Sequence, residues 1–202
     1  MKGRSLLGLI VSLTIFGAGS LAVLAQSQRY PTNAEIQMLI KDFPRVIQSN
    51  QDFLSSKPTA SEIQRLRSFV AAWSRVDSKI APFLGQWNIS DATLAIYPSN
   101  VRGRVCMIIA GDWNDEYGSV LTGTVSNNQI RVSNRQVIVR QGDYLGILRV
   151  ENNKPIIFAL GSAKPLESPT QFLESQGMQQ FNPVITQQFN AAGCTASRPN
   201  RR

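Results

Sequence analysis

Apolar residues recur at helical spacing in two segments near the start of the chain. In each segment a Thr and a Glu three residues later have the spacing of a capping box, first at Thr32 and Glu35 and then at Thr59 and Glu62. The first set of apolar residues is Ile36, Leu39, Ile40, Phe43 and Ile47. The second set is Ile63, Leu66, Val70, Trp73, Val76 and Ile80. We predict a helical hairpin over residues 26–82, with a kink or break at Pro44 and an end at Pro82.

Short β-branched runs separated by turn residues replace the helical spacing after residue 83. The predicted strands are Trp87–Tyr97, Val101–Ile109, Ser119–Val125, Gln129–Ser133, Gln136–Arg140, Tyr144–Val150 and Pro155–Leu160. Because strands this close in sequence pair as hairpins, the sheet over residues 83–165 should be antiparallel and meandering. Runs such as MII and PIIFAL are apolar on both faces, which indicates that helices cover part of the outer face. A small β-barrel or a strongly curled sheet would remove the exposed edges.

Residues 166–194 are expected to form short C-terminal helices. The stretch SPTQFLESQ is typical of a capped helix that Gly177 ends, and Pro183 opens a second one. From Thr195 onward nothing apolar remains to be buried, so residues 195–202 are expected to be a disordered basic tail. The predicted class is therefore α+β, with an N-terminal helical hairpin packed on an antiparallel meandering sheet or small β-barrel.

The first 25 residues have the layout of a secretory signal peptide. MKGR supplies two cations, and no charge occurs from Ser5 to Ala25. Val23 and Ala25 precede a cleavage position before QSQRYP. Because the apolar run approaches the length of a membrane span, an uncleaved anchor is the alternative. Both interpretations predict a periplasmic or extracellular protein.

Charge and cysteine usage add to this picture. The formal net charge is +8, of which Lys2 and Arg4 contribute two, and the one dense basic cluster is the tail SRPNRR. This balance favours anionic partners or membrane surfaces, whereas nucleic acid is not expected without a basic stripe with interleaved aromatics. In an oxidising compartment Cys106 and Cys194 are expected to form a disulfide, the alternative being two unpaired thiols.

The search for catalytic chemistry centres on the stretch GDWNDEYG. The chain has no histidine, which excludes Ser-His-Asp triads, Cys-His pairs and the usual zinc sites. As a calcium loop the stretch fails the EF-hand template, because Tyr117 and Gly123 stand where Gly and Glu are required. Its flanking glycines favour a loop between strands, with a metal contact or a pair of catalytic carboxylates as alternatives. The candidate contact residues are Asp112, Trp113, Asp115, Glu116 and Tyr117.

Gly85 and Trp87, in the stretch FLGQW that leads into the first predicted strand, resemble the opening of lipocalin-like barrels. The resemblance implies that Trp87 closes the base of a barrel whose cavity holds an apolar ligand. It covers one turn of the chain and carries over no ligand-binding residue. The simpler alternative is a core tryptophan that caps a small sheet.

These observations lead us to expect a non-enzymatic exported binding or accessory protein of the bacterial cell envelope, without metal or cofactor. The candidate partners are an apolar small molecule, an anionic envelope surface and another envelope protein. One alternative is a carboxylate-dependent glycan hydrolase that uses Asp112, Asp115 or Glu116. The other is a peripheral protein held on a membrane or complex by its basic surface and tail.

Overall fold

The computed structural model describes residues 29–52, 54, 57–89, 92–111 and 118–199. The predicted signal peptide lies outside the described residues, and so do residues 112–117 of the GDWNDEYG stretch. The described chain combines helices with an eight-stranded antiparallel sheet. The predicted α+β class is therefore confirmed.

Four α-helices flank the sheet. They are α1 (Asn33–Ser49), α2 (Ala60–Ser74), α3 (Pro169–Ser175) and α4 (Asn182–Ala191). Both predicted Thr–Glu capping boxes are present, and Ser168 and Gln171 form a third one before α3. Each box satisfies backbone N–H groups that the first helical turn leaves without intrahelical partners.

Two details of the helices differ from the prediction. The predicted break at Pro44 is wrong, because the first helix continues through it, held against the sheet there by the fully buried Phe43; the alternative of a kink at Pro44 stays a prediction. The second helix ends at Ser74 and not at Pro82. Asp77 ends it early: its buried carboxylate accepts hydrogen bonds from the N–H groups of Lys79, at 3.2 Å, and Gly103. A short 3₁₀ turn, Ala81–Phe83, then leads into the sheet.

The strands follow one another in a simple meander, each paired antiparallel with the next. They are β1 (Gly85–Ile89), β2 (Ala92–Pro98), β3 (Arg104–Gly111), β4 (Val120–Ser126), β5 (Gln129–Val132), β6 (Val137–Gln141), β7 (Tyr144–Glu151) and β8 (Lys154–Leu160). The predicted strand Trp87–Tyr97 is wrong as a single element, since it divides into β1 and β2, which pair with each other. The other six predicted strands correspond to β3 to β8, with shifts of at most three residues at their ends.

The sheet curls until its first strand meets the chain that follows its last strand. Gln86 and Lys164 exchange two backbone hydrogen bonds of 2.9 and 2.8 Å. The N–H of Gly161 also donates to the carbonyl of Asn88, at 2.7 Å. These bonds satisfy backbone groups that an open edge of the sheet would leave unpaired.

The hydrophobic core has an inner part and two outer parts. Side chains from the inner face of the curled sheet form one cluster with Trp73, Ile80 and Phe83. On the outside, α3 and α4 cover β2 and β3, while α1 lies against β7 and β8. The predicted packing of helices on a sheet that is apolar on both faces is observed in this form. The predicted hairpin between α1 and α2 stays a prediction.

The C-terminal segment is joined to the sheet by a disulfide between Cys106 and Cys194, whose Cα atoms are 6.0 Å apart. The predicted disulfide is therefore present. The chain beyond it is more ordered than expected: the N–H of Thr195 donates to the carbonyl of Pro98 at 3.0 Å, and the indole of Trp73 donates to the carbonyl of Ser197 at 3.1 Å. Residues 195–199 thus belong to the folded part of the chain, and residues 200–202 lie outside the described residues.

Candidate functional site at the loop end of the sheet

The meander gives the curled sheet two distinct ends. At one, which we call the loop end, β1, β3, β5 and β7 end and β2, β4, β6 and β8 begin. At the other, which we call the base end, lie the connections 99–103, 127–128 and 142–143, together with the 3₁₀ turn that precedes β1. The GDWNDEYG stretch begins in sequence at the end of β3, Gly111, which lies at the loop end.

The loop end contains an arginine on the inner face of the sheet. In β7, Leu145 and Ile147 belong to the inner cluster and Leu148 to an outer one. Because side chains alternate along a strand, Arg149 lies on the inner face. Its guanidinium stacks on the ring of Phe158, 4.6 Å from the ring centroid, and its side chain is only 15% exposed. A cation has thus been placed against the apolar interior of the sheet.

The guanidinium of Arg149 is only partly neutralised. Its Nη2 forms an ion pair with Oε1 of Glu151, whose own side chain is 44% exposed. Its Nε and Nη1 are buried and have no hydrogen-bond partner. A buried donor without an acceptor costs about 1–3 kcal/mol, and more when the group is charged. The described chain therefore supplies no acceptor for these two donor nitrogens.

A polar neighbour lies beside Arg149. The register of β6 and β7 pairs Val137 with Leu148, so its continuation by one residue places Gln136 opposite Arg149. Gln136 is nearly buried, and its carbonyl accepts a hydrogen bond of 2.9 Å from the N–H of Val132. An amide side chain both donates and accepts hydrogen bonds. Gln136 and Arg149 thus add polar side chains at the loop end of an otherwise apolar interior.

The base end is closed by packing. Trp87 is fully buried, and its indole donates to the carbonyl of Phe83 at 2.9 Å. Arg140 covers the Trp87 ring at 5.7 Å from its centroid and donates to the carbonyl of Pro82. Burial lowers the pKa of Arg140 from its ordinary value, with Asp143 opposing the shift, but a guanidinium stays protonated. Gly85 allows a close approach, since a Cβ there would lie 2.9 Å from that of Ala163.

The acidic and aromatic candidates of the GDWNDEYG stretch lie outside the described residues, so their role stays a prediction. They are Asp112, Trp113, Asp115, Glu116 and Tyr117. Among the residues that the structure describes, no three His, Cys, Asp or Glu side chains are grouped to hold a metal ion. Within the same residues, no helix has the length and hydropathy needed to cross a membrane.

Sequence reasoning missed both Arg149 and Gln136. The sequence pattern places both residues within predicted strands, Tyr144–Val150 and Gln136–Arg140, and gives neither of them a role. One signal was available: Arg149 shares its strand parity with Leu145 and Ile147, which places a charge in the apolar register. Comparison of the chain with protein families, with curated proteins and with solved structures finds no match.

Proposed function

We propose that the protein is a non-enzymatic binding protein of the bacterial cell envelope that holds a small molecule at the loop end of its sheet. The observation that carries this proposal is the pair of buried, unpaired N–H donors on Arg149. A ligand with carboxylate, phosphate or sulfate oxygens would supply the missing acceptors. Hydrogen bonds of this charge-assisted kind are shorter and stronger than neutral ones.

The cost of burying Arg149 supports a binding role over a structural one. An apolar residue of similar volume would pack on Phe158 without leaving donors unsatisfied, at the loss of the cation–π contact alone. The ion pair with Glu151 compensates little of that cost, since a pair with one partner this exposed contributes about 0–1 kcal/mol. Groups that a fold retains at a loss of stability are concentrated at functional sites.

The packing of the interior supports the loop end over the middle of the sheet as the binding position. Large side chains that include Trp87, Met107 and Leu94 are fully buried within the described inner cluster. We further propose that the sheet functions as a small closed barrel. The backbone bonds between β1 and residues 161–164 support this, and the ligand then rests on the barrel's rim.

Export is part of the same proposal. The disulfide between Cys106 and Cys194 supports an oxidising compartment, where such bonds persist. The predicted signal peptide supports export to such a compartment. A binding role is further supported by the absence of histidine, which removes the commonest general acid–base residue of enzymes.

Native mass spectrometry of the exported protein, purified from its own envelope without reducing agent, tests the proposal. We expect a noncovalent adduct of an oxyanion-bearing small molecule. The variant Arg149→Met should weaken its binding roughly 10- to 100-fold, the range expected for lost hydrogen bonds to a charged group. The matched control is Arg131→Met, because Arg131 also stacks on an aromatic ring, Tyr30, but is exposed on the outer face.

Thermal unfolding separates a binding role from a structural one. Without ligand, Arg149→Met should unfold at the same temperature as the wild type or higher, because it removes a buried charge with unpaired donors. If Arg149→Met loses the adduct and also unfolds several degrees below the wild type, the role of Arg149 is structural. Wild-type protein without any adduct, or turnover of envelope substrates at enzyme-like rates, would defeat the proposal itself.

A further inference from the structure

Three chain segments that are far apart in sequence meet at the base end. They are residues 73–79 after α2, the turn 98–104 between β2 and β3, and residues 193–199 at the end of the described chain. Asp77 accepts a hydrogen bond from the N–H of Gly103, and Trp73 donates to the carbonyl of Ser197. The N–H of Asn100 donates to the carbonyl of Gly193 at 2.8 Å. We call the exposed surface of these three segments the base patch.

The base patch is strongly basic. Its exposed cations are Arg75, Lys79, Arg102, Arg104 and Arg198. Asp77 is the one acidic residue in the three segments, and it is only 3% exposed because its carboxylate is used inside the junction. The positive charges therefore have no exposed acidic neighbour within the patch. Their arrangement could not be read from the sequence, where these cations appear scattered.

The base patch also exposes apolar side chains. Val76 is 50% and Val101 is 46% exposed, and they are two of the four large hydrophobic residues found exposed in the described chain. Each lies within two residues of one end of the Asp77–Gly103 hydrogen bond, so that bond holds them at one junction. Two apolar tips surrounded by cations form a surface that complements anionic headgroups above hydrocarbon.

We infer that the base patch docks the protein on the surface of an anionic lipid bilayer. The cations face the headgroups while Val76 and Val101 enter the boundary between headgroups and acyl chains. The three segments expose apolar tips and cations but no acidic side chain, which suits a membrane surface that offers anionic headgroups and hydrocarbon together. Docking at the base end leaves the loop end free, so this inference is independent of ligand binding at Arg149.

Binding of the full exported chain to vesicles tests the inference. Vesicles of phosphatidylcholine with one quarter phosphatidylglycerol should bind the wild type, and vesicles of pure phosphatidylcholine should bind it far less. Each cation near an anionic surface contributes enough to change affinity roughly fivefold. The double variant Lys79→Gln with Arg102→Gln should therefore bind the anionic vesicles roughly 25-fold more weakly.

The matched control is Lys41→Gln with Lys154→Gln, which removes the same charge from α1 and from the loop end. It should bind nearly as the wild type does, because charges beyond a Debye length of the surface are screened. Val101→Ser tests the apolar contact without any change in charge. It should weaken binding on the order of fivefold, as expected for a half-exposed valine that becomes buried.

Four results would overturn the inference. The wild type would fail to bind anionic vesicles at low salt, or would bind both kinds of vesicle equally. The double variant and its control would bind equally well. In the fourth result, no vesicle binding is seen with the wild type or any variant, and an acidic envelope protein copurifies with the wild type but not with the base patch variants. The base patch would then be a protein-docking site.

Discussion

At the scale of single residues, the start of α1 shows how one carboxylate couples the fold to pH. Arg29 donates to both oxygens of Glu35 at 2.7 Å, and the N–H of Thr32 donates to one of them at 2.7 Å. These bonds lower the pKa of Glu35 from 4.5 to about 2, with the Arg29 hydrogen bond as the largest cause. A lowered pKa means that ionised Glu35 stabilises the fold above pH 4.5, and that this contribution is lost as the pH falls towards 2.

We expect the carboxyl carbon of Glu35 to titrate near pH 2 in an NMR experiment. Arg29→Gln should move this pKa part of the way back towards 4.5, because the bond from Thr32 remains. Glu35→Gln should flatten the dependence of the unfolding free energy on pH between those values. A wild-type titration near 4.5 would show that neither the Arg29 nor the Thr32 contact persists in solution.

Arg149 shows what a sequence conceals at this scale. The surroundings of Glu35 can be read from the sequence, because Arg29 and Thr32 both lie within six residues of it. The surroundings of Arg149, in contrast, come from three strands. Phe158 and Gln136 reach it only through the pairing of β7 with β8 and with β6. Burial of a charged side chain is a product of that pairing. The candidate site therefore could not be predicted from local pattern, although the loop end carries the stretch that the sequence singled out.

At the scale of elements, the junction between α2 and the sheet depends on Asp77. Its two oxygens accept from Lys79 in its own turn and from Gly103 in the β2–β3 turn. We expect Asp77→Asn to destabilise the protein by about 1–3 kcal/mol, because an amide nitrogen then faces a buried N–H donor. Asp143→Asn is the control, since Asp143 is exposed in a turn at the same end. Urea unfolding of the two variants measures the difference, and equal stability would contradict the role assigned to Asp77.

Helix starts that depend on residues close in sequence could be predicted, whereas a helix end that depends on a residue distant in sequence could not. The capping boxes before α1 and α2 lie within four residues, so their start sites could be read directly. The end of α2 depends on Gly103, which follows Asp77 by 26 residues, and the periodic pattern runs on past it. β1 ends at Ile89 and β2 begins at Ala92, and the two residues between them, Ser90 and Asp91, are both turn formers, so the sequence carried a local signal for this division that the prediction of one strand overlooked.

At the scale of the whole molecule, the C-terminal segment completes the fold by covering a face of the sheet. Phe172, Ile185 and Phe189 are buried against the outer side of β2 and β3. Tyr97 and Phe189 meet edge to face, with ring centroids 5.0 Å apart. The same segment continues into the base patch, so its attachment determines both the cover of the sheet and the surface proposed for the membrane. That attachment rests on the apolar cluster and on one covalent bond.

The disulfide should carry a large share of the total stability. It joins residues 88 positions apart, so its loss restores about 4 kcal/mol of chain entropy to the unfolded state, against about 5–15 kcal/mol for a whole domain.

We expect Cys106→Ala with Cys194→Ala to fold with the segment still in place, because the apolar cluster remains, and to unfold at a lower urea concentration. Reductant should destabilise the wild type by a similar amount and leave the double variant unchanged. If reductant does not change the stability of the wild type, and the mass of the wild-type protein is not two hydrogens below that of the reduced chain, the disulfide does not form in solution.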